Sequence, residues 1–231
     1  MMRFEMPIFP LGVVLFPGMP LPLHIFEPRY RLMIGRALQG DKTFGVAQLA
    51  EGLEGHSGTV PAPVGTAAEI LDVVPFADGR MNVQTIGVRR FRILSLREED
   101  DLLIGSCEWI EDDEPQDGLV RLSMRARRTL SRYFDALALN ADAAIETDGL
   151  DVPQDPESLS MFIAAILQLP NEQKQHLLEM TDTRARLEAE EFLLERATII
   201  QLAFAKRAAN GEATHSGDPS LGPLSDFVSL N

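Results

Sequence analysis

The sequence is short of cysteine, of lysine and of long apolar runs, and each shortage closes off a class of function. A single cysteine, Cys107, in 231 residues cannot form an internal disulfide, so nothing asks for an oxidising compartment. Its setting, Ile104-Gly-Ser-Cys-Glu-Trp109, reads as a strand in which a lone cysteine is a small buried hydrophobe. No run of ~20 apolar residues able to cross a bilayer occurs. The apolar stretch after Arg3 does not read as a secretion signal either, because it carries Glu5, is broken by Pro7 and Pro10, and has no small-residue cleavage site. The expectation is a cytoplasmic protein with no membrane partner. Lysine and arginine number 21 against 35 acidic residues, a net charge of −14, and only Lys42, Lys174 and Lys206 are lysines. Neutralising phosphates supplies most nucleic-acid affinity, so no nucleic-acid partner is expected.

The machinery of common chemistries is missing too. His24, His56, His176 and His215 lie far apart, with one cysteine to help, so no metal site is expected. No G-x-S-x-G elbow presents a nucleophile, and catalytic residues and cofactors are both expected to be none. The string Gly35-Arg-Ala-Leu-Gln-Gly40-Asp-Lys42-Thr43 approaches a phosphate-binding loop. However, Asp41 precedes the lysine, and the glycines end a helix instead of leading from a strand into one.

What is present is organised around Phe9–Met33, FPLGVVLFPGMPLPLHIFEPRYRLM. Pro10, Pro17, Pro20 and Pro22 each fix φ and remove a donor, which predicts short extended pieces broken by turns: Val13–Phe16 and Leu21–Ile25 as strands about a Pro17-Gly18 turn. Pro28 then opens a helix whose Tyr30, Met33, Ile34 and Ala37 recur at helical spacing and which stops at Gly40. Strands are predicted over Thr43–Leu49, Ala67–Val74, Met81–Ile86, Phe91–Leu96 and Leu102–Ile110, with an Asp78-Gly79 turn, a bend at Gly87 and a loop rim over Ala50–Pro63. Short, closely spaced strands of this kind suggest an antiparallel barrel that is closed or nearly closed.

After the acidic run Glu111–Asp117 the period changes. Leu119, Leu122, Ala126, Leu130, Tyr133 and Leu137 mark one face of a long helix, with Arg121, Arg125, Arg128 and Arg132 as a solvated row opposite. A small, acidic linker spans Leu139–Pro153. Asp155-Pro156 caps the next helix, Pro170-Asn171 restarts the chain as a third, and Asp182 caps a last one in which Ala189, Phe192, Leu193, Arg196, Ala197, Ile200 and Phe204 share a face. Four such helices make a bundle. From Ala208 onward Gly, Ser, Pro and Asp predict a disordered tail, and its terminal stretch Asp226-Phe-Val-Ser-Leu230 reads as part of that tail before it reads as a docking peptide.

The string FPLGVVLFPGMPLPLHIFEPRY, followed by FGVAQL, VGTAAEI, DGRMNVQTIGVRRFRI and LEMTDTRARLE, resembles the amino-terminal domain of Lon proteases from about Pro7 to about Phe204. It is closer still to the free-standing bacterial proteins made of that domain alone. The resemblance implies an α+β fold: a PUA-like antiparallel β-barrel over residues 1–114, a helical bundle over 115–210 and a tail over 211–231. It also implies a binding function without ATPase or protease domains. The expected partners are unfolded or specific protein substrates, with a protease or chaperone alongside, in an adaptor or holdase role; the sequence gives no oligomeric state.

The candidate binding residues are His24, Phe26, Glu27, Arg29, Tyr30, Arg89, Arg90 and Phe91. Charges beside aromatics in so small a barrel persist only when paired, so Glu27 is expected to bridge to an arginine and clamp the first helix. Two other functions stay open: a small-molecule or enzyme pocket near His24, Glu27 and Tyr30, and RNA binding through a PUA-like surface.

Overall fold

In the computed structural model of the chain, residues 3–49, 60–113, 118–140 and 151–209 are described. Contacts divide it into two compact units. One holds the residues up to Glu111 together with Leu169–Thr181, and the other holds Asp112–Gln168 together with the chain from Asp182 onward.

Among the described residues, the first unit is a six-stranded sheet with two helices. In chain order it contains β1 (Arg3–Leu11), β2 (Pro20–Ile25), α1 (Pro28–Gln39), β3 (Thr43–Gln48), β4 (Val64–Pro75), β5 (Met81–Glu99), β6 (Leu102–Trp109) and, much later, α4 (Asn171–Glu179). Bonded neighbours run β2-β5-β4-β3-β1-β6, and β5 pairs with β6 as well, so the pairing returns to a strand already in the sheet. The set is mixed, not wholly antiparallel as the sequence suggests, because Ile8–Leu11 of β1 run parallel to Gly45–Gln48 of β3. A parallel pair needs a crossover, and β2 with α1 supplies it.

One strand, β5, replaces the two predicted pieces. It bulges opposite Ala67/Ala68 and again between Ile93 and Ser95, so that its first half serves β2 and β4 and its second half serves β6. Gly87 sits at the first bulge for a steric reason: a Cβ there would lie 2.2 Å from the Phe16 carbonyl oxygen. This close approach explains why Val13–Phe16 is not a strand. The segment crosses over β5, with Val14, Leu15 and Phe16 buried and Thr66 Oγ1 donating to the Leu15 carbonyl at 2.6 Å.

Helix α1 buries the four residues its spacing marks, Tyr30, Met33, Ile34 and Ala37, among Leu15, Ile25, Phe44 and Val46. A second core cluster gathers Met6, Ile8, Ala67, Phe91 and Cys107. Burial pushes the Cys107 thiol up to about 12, so it is an inert hydrophobe. Helix α4, expected in the bundle, packs against β4: Gln175 Nε2 donates to the Val64 carbonyl at 3.0 Å, and Asn171 Nδ2 donates to the Gly12 carbonyl.

The second unit contains α2 (Leu119–Ala138), α3 (Pro156–Ile166) and α5 (Thr183–Ala209). The predicted stripe of α2 is buried throughout. Asp155 caps α3 by accepting from the Ser158 amide at 3.0 Å, and Asp182 caps α5 by accepting from Arg184 N and Ala185 N. Helices α2 and α5 run in the same direction, since Arg125 meets Glu191 and Asn140 meets Gln201. The predicted face of α5 is not the buried one. Thr183, Arg186, Leu187, Glu190, Leu194 and Thr198 are buried, whereas Phe192, Ile200 and Phe204 face solvent.

Candidate functional site

Strand β2, the first part of β5 and the outer half of β4 form a three-stranded antiparallel arm. Its register sets His24 opposite Asn82 and Asn82 opposite Val74, with Pro22, Gln84 and Asp72 as the next row. Alternation sends Leu21, Ile25, Val83 and Thr85 into the core and leaves Pro22, His24, Asn82 and Gln84 exposed. Phe26 continues the outward parity of His24, and Phe76 that of Val74. Both end at the arm's tip, where Gly79 takes a φ of 84° that a side chain rarely allows and closes the hairpin.

An exposed apolar face results. Phe26 is 59% exposed, Val74 50% and Phe76 42%. The His24 ring lies between the two phenylalanines, 6.2 Å from Phe26 and 6.0 Å from Phe76 by centroid, and its Nδ1 donates to Asn82 Oδ1 at 2.7 Å. At the tip, the Arg80 amide and guanidinium hold the Asp78 carboxyl below the usual carboxylate range and fix the turn. Contiguous exposed aromatics around one polar centre suit apolar side chains that also offer a donor or acceptor.

The eight predicted residues do not form one site. His24 and Phe26 belong to the arm. Glu27 does not clamp the helix to the sheet: its partner is Arg29, two residues on, whose Nε donates to Oε2 at 2.9 Å in a half-exposed pair. Arg29 also lies over the Tyr30 ring at 4.5 Å, and Tyr30 is buried against Phe9 at 4.2 Å, a core position. Arg89, Arg90 and Phe91 are consecutive and separate completely. Arg89 is on the surface, over Trp109 at 4.9 Å and bonded to Glu111 at 2.6 Å. Arg90 is 2% exposed and donates through Nη1 to the carbonyls of Leu178 and Met180, both at 2.7 Å, tying down the end of α4. Phe91 is fully buried in the second core cluster.

Val74 and Phe76 complete the arm and were not among the predicted residues. Their signal is the apolar pair flanking Pro75 before the Asp78-Gly79 turn, and it gains meaning only once β2 is known to lie across β5. Among the described residues, β2 ends the bonded order with β5 as its one partner strand, which leaves its outer edge without a strand. Pro20 and Pro22 lack the N–H an incoming strand would use, which blunts that edge.

The phosphate-loop-like string borders a cavity of about 180 Å³ at the far end of α1, lined by Arg36, Gly40, Asp41, Thr43 and Leu102 among others. There the Thr43 amide donates to Asp41 Oδ1 at 3.1 Å, and Arg36 pairs with Asp100. On α2, Arg121, Arg128 and Arg132 are exposed, as is Arg125, which pairs with Glu191. Among the described residues, no group of three or more acidic, histidine or cysteine side chains could hold a metal, and no helix is long and apolar enough to cross a membrane. The Ala50–Thr59 part of the predicted loop rim with His56, Glu114–Asp117 of the acidic run, the linker over 141–150, and the tail from 210 with His215 lie outside the described residues.

Comparison with known proteins reports on the whole arrangement. Residues 5–196 match the family model described as the ATP-dependent protease La (LON) substrate-binding domain. The chain is 32% identical over 194 residues to Lon protease 1 of Hydrogenovibrio crunogenus, covering 80% of this chain and 23% of that protein. It is 30% identical over 193 residues to the Lon protease of Escherichia coli K12, covering 80% and 24%. The chain therefore spans about a quarter of the length of these relatives. Among solved structures, the Lon N-terminal domain protein from Xanthomonas campestris is similar at 28% identity and a TM-score of 0.59, over 80% of this chain and 96% of that one. The N-terminal domain of the Mycobacterium avium complex Lon protease shares the fold at 22% identity and a TM-score of 0.64, over 83% and 98%.

Proposed function

The chain belongs to the Lon substrate-binding domain family, and on that premise we propose that it is a non-enzymatic module that recognises unfolded or partly folded polypeptide, acting as an adaptor or holdase in cytoplasmic protein quality control. The observation that carries this reading is the exposed aromatic face of the arm, Phe26, His24 and Phe76 with Val74 beside them. Unfolded chains differ from folded ones chiefly in presenting aromatic and branched side chains to solvent, and an outward face of rings selects for that difference. Side-chain capture fits better here than strand addition, because the open edge of β2 carries two prolines. The family matches cover the substrate-binding domain and neither the protease nor the ATPase domain, which supports binding without chemistry. The return of the strand pairing to β5 supports a closed, PUA-like barrel as the scaffold.

The test is fluorescence anisotropy with a carboxymethylated, permanently unfolded polypeptide, in the absence of nucleotide. Binding with a Kd of about 1–100 μM, a range ordinary for weak recognition, is expected, with none to the native form of the same polypeptide. Equal affinity for the folded form, or no binding to either, contradicts the reading. Retention on heparin at low salt, lost on adding salt, would point to a nucleic acid instead.

A further inference from the structure

The cavity at the end of α1 has walls and a mouth of different chemistry. Of the residues that line it, Ala37 and Leu102 are buried and Pro7 and Ile104 half-buried, so its inner walls are hydrocarbon, whereas Arg36, Gly40 and Asp41 are exposed and form the mouth. Its volume is about 180 Å³. An apolar cavity of about 150 Å³ holds benzene, so a hydrocarbon group the size of a leucine or phenylalanine side chain fits here. Backbone geometry fixes the mouth: the Gly40 and Lys42 amides both donate to the Ala37 carbonyl at 3.0 Å, Lys42 takes a left-handed φ of 61°, and the Thr43 amide donates to Asp41 Oδ1 at 3.1 Å. The second carboxylate oxygen of Asp41 has no partner among the described residues. Arg36 is engaged elsewhere. It pairs with Asp100, in the two-residue turn Asp100-Asp101 that joins β5 to β6, where both residues take the positive φ such a turn requires. Two carboxylates therefore stand against one guanidinium at the mouth, and Lys42 is not among the lining residues. The charge left over is negative.

We propose that this cavity binds a small primary amine with a branched or aromatic hydrocarbon tail, the tail between Ala37, Leu102 and Ile104 and the ammonium against Asp41. Both halves of the ligand follow from the lining. The walls reward apolar surface taken out of water, and the unmatched carboxylate rewards a single positive head, which offers three donors to Asp41 and to Thr43 beside it. A carboxylate ligand would instead bring a third negative group to the mouth, in a chain whose net charge is already −14. None of the lining residues belongs to the aromatic arm, so this site does not depend on the arm's role. The same chemistry, an apolar residue with a free ammonium, also occurs at the N-terminus of a polypeptide. The experiment separates the two sources.

The full chain is titrated near neutral pH with isopentylamine, with the neutral isopentanol and with the anionic isovalerate, and the backbone amides are followed by nitrogen–proton correlation NMR. Isopentylamine is expected to give saturable shifts at Thr43 and Ile104 with a Kd of about 0.1–10 mM, a range suited to so small a ligand. The alcohol is expected to bind about fivefold more weakly and the carboxylate about tenfold more weakly or worse, since only the amine meets the charge of Asp41. Asp41→Asn keeps an oxygen for the Thr43 amide and lies on the surface, so it should leave the melting temperature unchanged and bring amine and alcohol to about equal affinity. The peptide Leu-Gly-Gly binding at least as tightly as the amine, with acetyl-Leu-Gly-Gly inactive, assigns the site to a chain terminus; the amine alone assigns it to a free small molecule. The proposal is overturned by no saturable shift with either, by isovalerate binding as well as the amine, by shifts confined to residues outside the cavity, or by Asp41→Asn retaining the full preference for the amine.

Discussion

The outward face of the arm and the socket around Arg90 both come from stretches in which an aromatic stands close to a basic residue in sequence, His24 with Phe26 and Arg90 with Phe91, and one strand, β5, runs through both. They differ in what lies opposite. Along the arm, none of the described residues of the first unit covers the parity that carries His24, Phe26, Val74 and Phe76, so the rings are exposed around a histidine held by Asn82. At Arg90, the end of α4 presents two carbonyls at 2.7 Å, and the guanidinium is buried with its donors in use. An arginine closed in this way maintains the fold, and an aromatic left open in this way is available to a partner. Residue type alone does not separate the two roles; acceptors and strand parity do.

The largest test of the comparison removes the socket. Arg90→Ala strands the buried Leu178 carbonyl and the part-buried Met180 carbonyl and is expected to cost about 2–5 kcal/mol, at about 1–3 kcal/mol for each acceptor left without its donor, read by urea unfolding. Arg90→Lys should recover only part of it, because an ammonium is a point charge without the guanidinium's planar fork. The second unit offers a sharper case of a buried charge that is less completely matched. There Arg186 donates to Ser160 Oγ at 2.7 Å and to Asp112, Thr183 donates to Asp112, and Ser160 donates to Glu190 Oε1 at 2.9 Å, while Glu190 Oε2 has no hydrogen-bond partner among the described residues.

Burial raises the Glu190 carboxyl well above its ordinary 4.5, outweighing Arg186 and Ser160, which pull it down. The folded chain thus keeps a proton that the unfolded chain releases above about pH 4.5, so the stability tied to Glu190 is complete below that value. It is lost as the pH rises through the folded-state value. Glu190→Gln removes this slope, and it should gain on the wild type between pH 5 and 8 in thermal melts, by less than the Arg90 loss. The smallest effect is expected at Glu27. Its pair with Arg29 is half exposed, so Glu27→Gln should change stability by under about 1 kcal/mol and leave the melting temperature nearly unmoved.

Legibility in the sequence followed the strength of local pattern. Tyr30, Met33, Ile34 and Ala37 in α1, and the six stripe residues of α2, were readable because helical spacing assigns a face wherever only one side is apolar. In α5 both sides are apolar, so the same reading chose the exposed face. The turn at Gly79, the bend at Gly87 and the caps at Asp155 and Asp182 were readable from local chemistry. The parallel pairing of β1 with β3 was not, nor was the partner of Arg90, 88 and 90 residues away in sequence, because both depend on which distant segments meet. Half of the arm was found for the same reason: His24 and Phe26 stand in a dense local cluster, whereas Val74 and Phe76 join them only through register.

The central claim, that the arm's aromatic face is where polypeptide is held, is tested most directly by measuring binding of the carboxymethylated polypeptide to the wild type and to the double variant Phe26→Asp, Phe76→Asp. Both positions are exposed, so the variant should keep its melting temperature. Two lost aromatic contacts at about 1–2 kcal/mol each predict an affinity lower by roughly thirtyfold or more. An affinity equal to the wild type's, in a variant that is demonstrably folded, would contradict the account.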